Sequence, residues 1–126
     1  MTTSFELSKQ LWDLGLKIGT EKCWQRDSLR DSWKIMIYKV RGEYHIEYLL
    51  PAYSTDELLA VMPKEITIIH IGLLVGGFCI SFETANWKDN LHLESDKSLP
   101  EAIGLMCEWL LDNGYHYDSE KKELVK

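Results

Sequence analysis

The chain is poor in the features that hold small secreted or metal-stabilised proteins together. Its 126 residues contain three cysteines, Cys23, Cys79 and Cys107. They are odd in number and scattered, with no Cys-x-x-Cys pair, which argues against a disulfide framework and a zinc site and points to a reducing compartment. Positive charge is also scarce: 14 Lys and Arg stand against 20 Asp and Glu, for a net charge of −6. Phosphate backbones are bound by clustered cations, so a nucleic-acid partner is disfavoured. Met1 to Gln10 lacks a basic segment followed by an apolar one, so it does not read as a secretory signal, and a cytoplasmic location is expected. The longest apolar run, Ile66 to Phe82, is 17 residues long and is broken by Thr67, His70, Ser81 and three glycines. A membrane helix needs roughly 20 apolar residues, so this run reads as buried strands.

No Pro- or Gly-rich tract, internal repeat or block of like charge interrupts the chain, and 45% of its residues are hydrophobic. One domain spanning residues 1–126 is expected. Ser or Thr is followed three residues later by Glu at Thr3 and Glu6, at Ser54 and Glu57, and at Ser98 and Glu101. Each pair is a candidate capping box, in which the hydroxyl accepts from a backbone N–H while the carboxylate reaches back to the cap. The first helix is expected from about Ser4 to Leu14, with Leu7, Leu11 and Leu14 on one face and Gly15 or Gly19 at its end. A short second helix, Thr55 to Met62, is stopped by Pro63. In the third, Ala102, Ile103, Met106, Cys107, Leu110 and Leu111 recur at helical spacing and Gly114 marks the stop, so this helix should lie against a sheet.

Elsewhere the hydrophobic period falls to two. Trp33, Ile35 and Ile37 alternate with Lys34, Met36 and Tyr38, and Tyr44, Ile46, Tyr48 and Leu50 alternate with His45, Glu47 and Leu49. With Gly42 at the turn, this predicts a hairpin flanked by a short strand around Cys23 to Arg26. Ile66 to Leu74 and Phe78 to Glu83 flank Gly76 and Gly77 and predict a second hairpin. Strands joined by short turns pair antiparallel. The expected fold is therefore α+β: an antiparallel sheet of about five strands with helices packed on one face, in the order αβββαββα, with a further candidate hairpin at Tyr115 to Val125.

The polar residues form no recognised catalytic pattern. His45 and Glu47 emerge on one face of a strand and are a candidate general base pair, but solvated polar positions on a half-buried sheet account for them. His70 fits a hydrogen-bonded core histidine. His92 and His116 have carboxylates nearby in sequence but lack the helical His-x-x-x-His spacing of a metal site. Cys79 and Cys107 fall in apolar settings, and Cys23, although beside Lys22 and near Arg26, also fits inert packing. Gly72, Gly76 and Gly77 precede a strand rather than a capped helix, so they do not form a phosphate cradle. No cofactor or metal is expected.

What the chain has in surplus is aromatic residues, with five tryptophans and six tyrosines. Such side chains dominate both cores and interface hot spots. Trp12, Trp33 and Trp109 have core explanations. Trp24, Tyr53, Trp87 and Tyr115 flank turns or loops and are the candidates for exposure. With His92, which shares a long connection with Trp87, they make up the expected binding set.

Two stretches carry a resemblance. Leu49-Leu50-Pro51-Ala52-Tyr53-Ser54-Thr55-Asp56-Glu57-Leu58-Leu59, and Leu99-Pro100-Glu101-Ala102-Ile103 through Trp109-Leu110-Leu111-Asp112-Asn113-Gly114-Tyr115, resemble short accessory proteins of bacteriophages and prophages over about a third of the chain. The resemblance implies a bacterial cytoplasmic accessory factor and carries no active-site residue. The expected function is a non-enzymatic module that binds a host or phage protein through an aromatic surface. The alternatives are a small enzyme using a His and a carboxylate, or a structural protein that self-associates as a homo-oligomer.

Overall fold

Ser4, in extended backbone, caps the first helix, α1 (Phe5–Asp13), by accepting from the Leu7 N–H. Thr3, the cap expected from sequence, is instead fully buried, and its hydroxyl shares a 2.6 Å hydrogen bond with that of Ser8. Glu101 is also redirected. Rather than closing a box on Ser98, which makes no side-chain cap bond, its carboxylate accepts from the Ser4 N–H at 2.6 Å and the Ser4 hydroxyl at 2.8 Å. One carboxylate at the start of the third helix thus satisfies the start of the first. At the second helix, the Ser54–Glu57 box forms as predicted.

The computed structural model describes residues 1–37, 49–64, 66–74, 76–84, 92–96 and 98–126. Along the chain, α1 is followed by β1 (Lys22–Gln25), β2 (Lys34–Ile37), β3 (Leu49–Ala52), α2 (Thr55–Ala60), β4 (Ile66–Leu74), β5 (Gly77–Thr84), β6 (His92–Asp96), α3 (Leu99–Asp112), β7 (His116–Asp118) and β8 (Glu123–Val125). Helices and antiparallel strands make the fold α+β, but the strands do not form one five-stranded sheet. They form sheets ordered β2-β1-β3, β4-β5-β6 and β7-β8.

Two features account for that division. Ser54, just past β3, bridges to Thr2, and the Thr3 N–H donates to the Tyr53 carbonyl at 2.9 Å, so the N-terminal segment pairs with the chain where it leaves β3. The second hairpin instead recruits β6, a strand added to the expected order, which lines up with β5 from Phe78 opposite Asp96 to Phe82 opposite His92. Gly76, at φ 85°, supplies the positive φ for the β4–β5 turn. The C-terminal hairpin is present as β7 and β8.

The first hairpin is rearranged. β2 and β3 do not pair with each other over their described residues; each pairs antiparallel with β1, which takes the centre. Cys23 on β1 is fully buried between Met36 and Pro51, so the short strand read as a flank is the middle of the sheet. Pro51 has no N–H to donate and sits on an edge strand, as its chemistry requires. The turn expected at Gly42 lies outside the described residues.

The core collects Leu7 and Leu11 from α1, Tyr53, Leu58 from α2, Ile80 from β5, Leu124 from β8, and Ala102, Ile103, Met106, Cys107 and Leu110 from α3. The predicted stripe of α3 is thus buried, against β5 and β6 on one side and α1 and α2 on others. Gly104 makes the α1 contact close: a Cβ there would meet the Leu7 side chain at 2.7 Å and that of Thr3 at 2.9 Å.

Candidate functional site

The aromatic residues divide between strut and surface. Tyr53, expected to be exposed, is 0% exposed; its N–H donates to the Thr3 hydroxyl and its own hydroxyl donates to the Leu16 carbonyl at 2.6 Å. A phenol that satisfies a buried carbonyl holds the loop after α1 in place, so Tyr53 is removed from the binding set. Tyr115 is removed as well. It is buried beneath the Lys126 ammonium, 5.5 Å from its ring centre, and its N–H donates to the Leu110 carbonyl as α3 ends. His92 opens β6 opposite Phe82. Trp87, His45 and Glu47 lie outside the described residues.

Trp24 belongs to a surface cluster. Half-buried on β1, it donates its indole N–H to the Thr3 carbonyl at 3.3 Å and meets Phe5 edge-on at 6.1 Å. Phe5, in the first turn of α1, stacks on Trp33 at 4.7 Å with the rings 26° apart. The Arg26 guanidinium also lies over Trp33, 4.5 Å from its ring centre. All four side chains are half-buried, so the stack Trp24–Phe5–Trp33–Arg26 is packed on the protein yet open to solvent. Its geometry is that of favourable quadrupole and cation–π contacts, which hold the rings in place before anything binds.

An open groove of about 520 Å³ adjoins it, lined by Gln25, Arg26, Asp27, Asp31, Ser32, Lys34 and Met36. Two cations and two carboxylates rim the groove with the exposed Met36, and on the other face of β2 Ile35 and Ile37 are exposed, Ile37 to 79%. The ionisable groups of the lining are Arg26, Lys34, Asp27 and Asp31, and Arg26 joins the groove to the aromatic stack.

Sequence reasoning names Trp24 as a candidate for exposure, and the structure leaves it half-buried beside Phe5, a neighbour the sequence does not announce. Trp33 has a core explanation in sequence because it falls in phase with Ile35 and Ile37, but it stands where the polar segment Asp27 to Ser32 meets the strand, and a ring at such a junction is open on one side. Phe5 and Arg26 carry no local signal, because α1 and the loop after β1 are brought together only by the fold.

The thiols are set apart from this chemistry. Burial pushes the Cys23 thiol above its ordinary pKa despite Lys22 and Arg26 nearby, and pushes Cys107 up to about 12. Asp118 is shifted the other way: the Lys121 and Glu120 backbone N–H groups donate to its carboxylate at 3.1 and 2.9 Å and hold it below the usual range, fixing the β7–β8 turn. Among the described residues no three His, Cys, Asp or Glu side chains converge in a way that would hold a metal ion, and no helix is long and apolar enough to cross a membrane.

Comparison of the chain with protein-family models, with curated proteins and with solved structures finds no match.

Proposed function

We propose that the protein is a non-enzymatic protein-binding module, an accessory factor of the phage or prophage type acting in the bacterial cytoplasm, which docks a host or phage protein on the Trp24–Phe5–Trp33–Arg26 surface. One observation carries this reading: the stack is prearranged and half-open, and Ile35, paired opposite Trp24, extends its face of the sheet towards the exposed Ile37. Trp and Arg are the residue types enriched at binding hot spots, and ordering them in the free protein lowers the entropy lost on association. The charged rim, with Arg26 and Lys34 opposed by Asp27 and Asp31, would set orientation more than affinity.

The test is affinity capture from the native host with the full chain and with Trp33→Ala, each melted in parallel. The expected result is one stoichiometric protein held by the wild type and lost by the variant, while the variant keeps a cooperative melt. Equal recovery by both chains, or no stoichiometric protein with either, overturns the reading.

A further inference from the structure

The second apolar exposure lies on the other three-stranded sheet and is independent of the aromatic stack. On β4, Ile71 is 48% and Leu73 81% exposed. Ile71 pairs with Ile80 and Leu73 with Phe78, so both project on the face where Ile80 is buried, the face that α3 covers over β5 and β6. The core face of this sheet therefore continues onto β4 beyond its cover. Among the described residues β4 has β5 as its one strand neighbour, so β4 is an edge of the sheet that those residues form.

The two edges of this sheet are unlike. β6 carries Glu94 and Asp96 within five residues, whereas β4 runs nine residues without Asp, Glu, Lys or Arg. Edge strands are ordinarily guarded by charge, Pro or a bulge, and β6 follows that rule while the outer half of β4 does not. The charge balance also indicates the occupant. In a chain of net charge −6, two copies repel each other over most of their surfaces, and the uncharged edge is where that repulsion is weakest, whereas a basic partner would gain nothing there.

We propose that β4 is a self-association edge, pairing antiparallel with β4 of a second copy about a two-fold axis to give one continuous six-stranded sheet. A two-fold strand pair is self-complementary by symmetry, and a register centred near Gly72 sets Ile71 beside Leu73 of the partner subunit on the same face. The outer edges of the joined sheet are then the β6 strands, whose sequence carries two acidic residues in five, so assembly closes at the dimer instead of growing.

Sedimentation equilibrium of the full chain over a rising concentration series tests this. The wild type should reach twice the 14.7 kDa chain mass. Leu73→Lys should stay at the single mass over the same range, and Leu73→Ile should dimerise. Leu73 and Ile71 are exposed, so Ile71→Lys serves as a second breaker, and far-UV circular dichroism checks that both variants fold. On the wild type alone, hydrogen exchange of the Ile71 to Leu74 amides should slow as concentration rises. A wild type that stays monomeric up to about 1 mM, a dimer that persists in both Lys variants, growth past the dimer, concentration-independent exchange of those amides, or a different protein found on this edge would each overturn the proposal.

Discussion

β2 and β3 flank the same strand, each paired antiparallel with β1 over four residues in unbroken register, yet they have opposite surroundings. Leu50, Pro51 and Ala52 of β3 are buried, while all of Lys34 to Ile37 on β2 are exposed. Hydrogen bonding to the central strand is common to both, so pairing does not decide burial. Cover does. α1 packs on β3, Thr2 and Thr3 line the chain where β3 ends, and Leu50 joins the fully buried side chains. A hydrophobic strand is thus stabilising or available for binding according to which helix reaches it, and that choice is made outside the strand's own sequence.

The most severe challenge to this contrast is to shorten a side chain on the covered strand. Leu50→Ala deletes a fully buried side chain and leaves a cavity between β3 and its cover, which should cost about 2–5 kcal/mol and lower the melting temperature. Thermal and urea melts read it directly. A loss below about 0.5 kcal/mol would mean that β3 is no better covered than β2.

A smaller effect is expected one residue past β3. Tyr53→Phe keeps the ring but removes the hydroxyl that donates to the Leu16 carbonyl, leaving a buried acceptor unsatisfied, at a cost of about 1–3 kcal/mol. Urea unfolding at constant m-value measures it. No loss would show that the strut role assigned to Tyr53 is wrong and that its burial is incidental.

Legibility followed how local the physics was. α3 was readable because period, cap region and stop lie within one segment, and its predicted stripe is buried from Ala102 to Leu110 and half-buried at its last member, Leu111. The Ser54–Glu57 box was readable for the same reason. The other two boxes were not, because Glu101 satisfies Ser4 from 97 positions away, a pairing that no local pattern announces. Strand existence was legible and strand order was not: alternation marks Trp33 to Ile37 as extended and allows a short edge strand around His92, but it cannot say that Cys23 would occupy the centre of one sheet or that the strand at His92 to Asp96 would pair with β5 in the other. The aromatic site followed the same rule, since Trp24 was named as a candidate by its place at a turn, whereas Phe5 and Arg26 reach Trp33 only through tertiary contact.

The smallest expected effect sharpens the comparison from the exposed side. Ile37 is 79% exposed at the end of β2, opposite Lys22 of β1. Replacing it with lysine adds a positive charge across from another, a like-charge pair that is mildly destabilising in solvent, and removes little buried surface because little is buried. Ile37→Lys should therefore change stability by no more than about 0.5 kcal/mol, several-fold less than Leu50→Ala on the opposite side of the same strand. The same variant places a hydrated ammonium on the face of the sheet that Ile35 extends from Trp24, so it should weaken partner capture while leaving the melt unchanged. The pair of readouts separates the alternatives. A large loss of stability would show that β2 is covered in solution and that the contrast between the two strands is false. An unchanged melt with full capture would keep the contrast but confine the binding surface to the aromatic stack, and lost capture with an unchanged melt would extend that surface along β2.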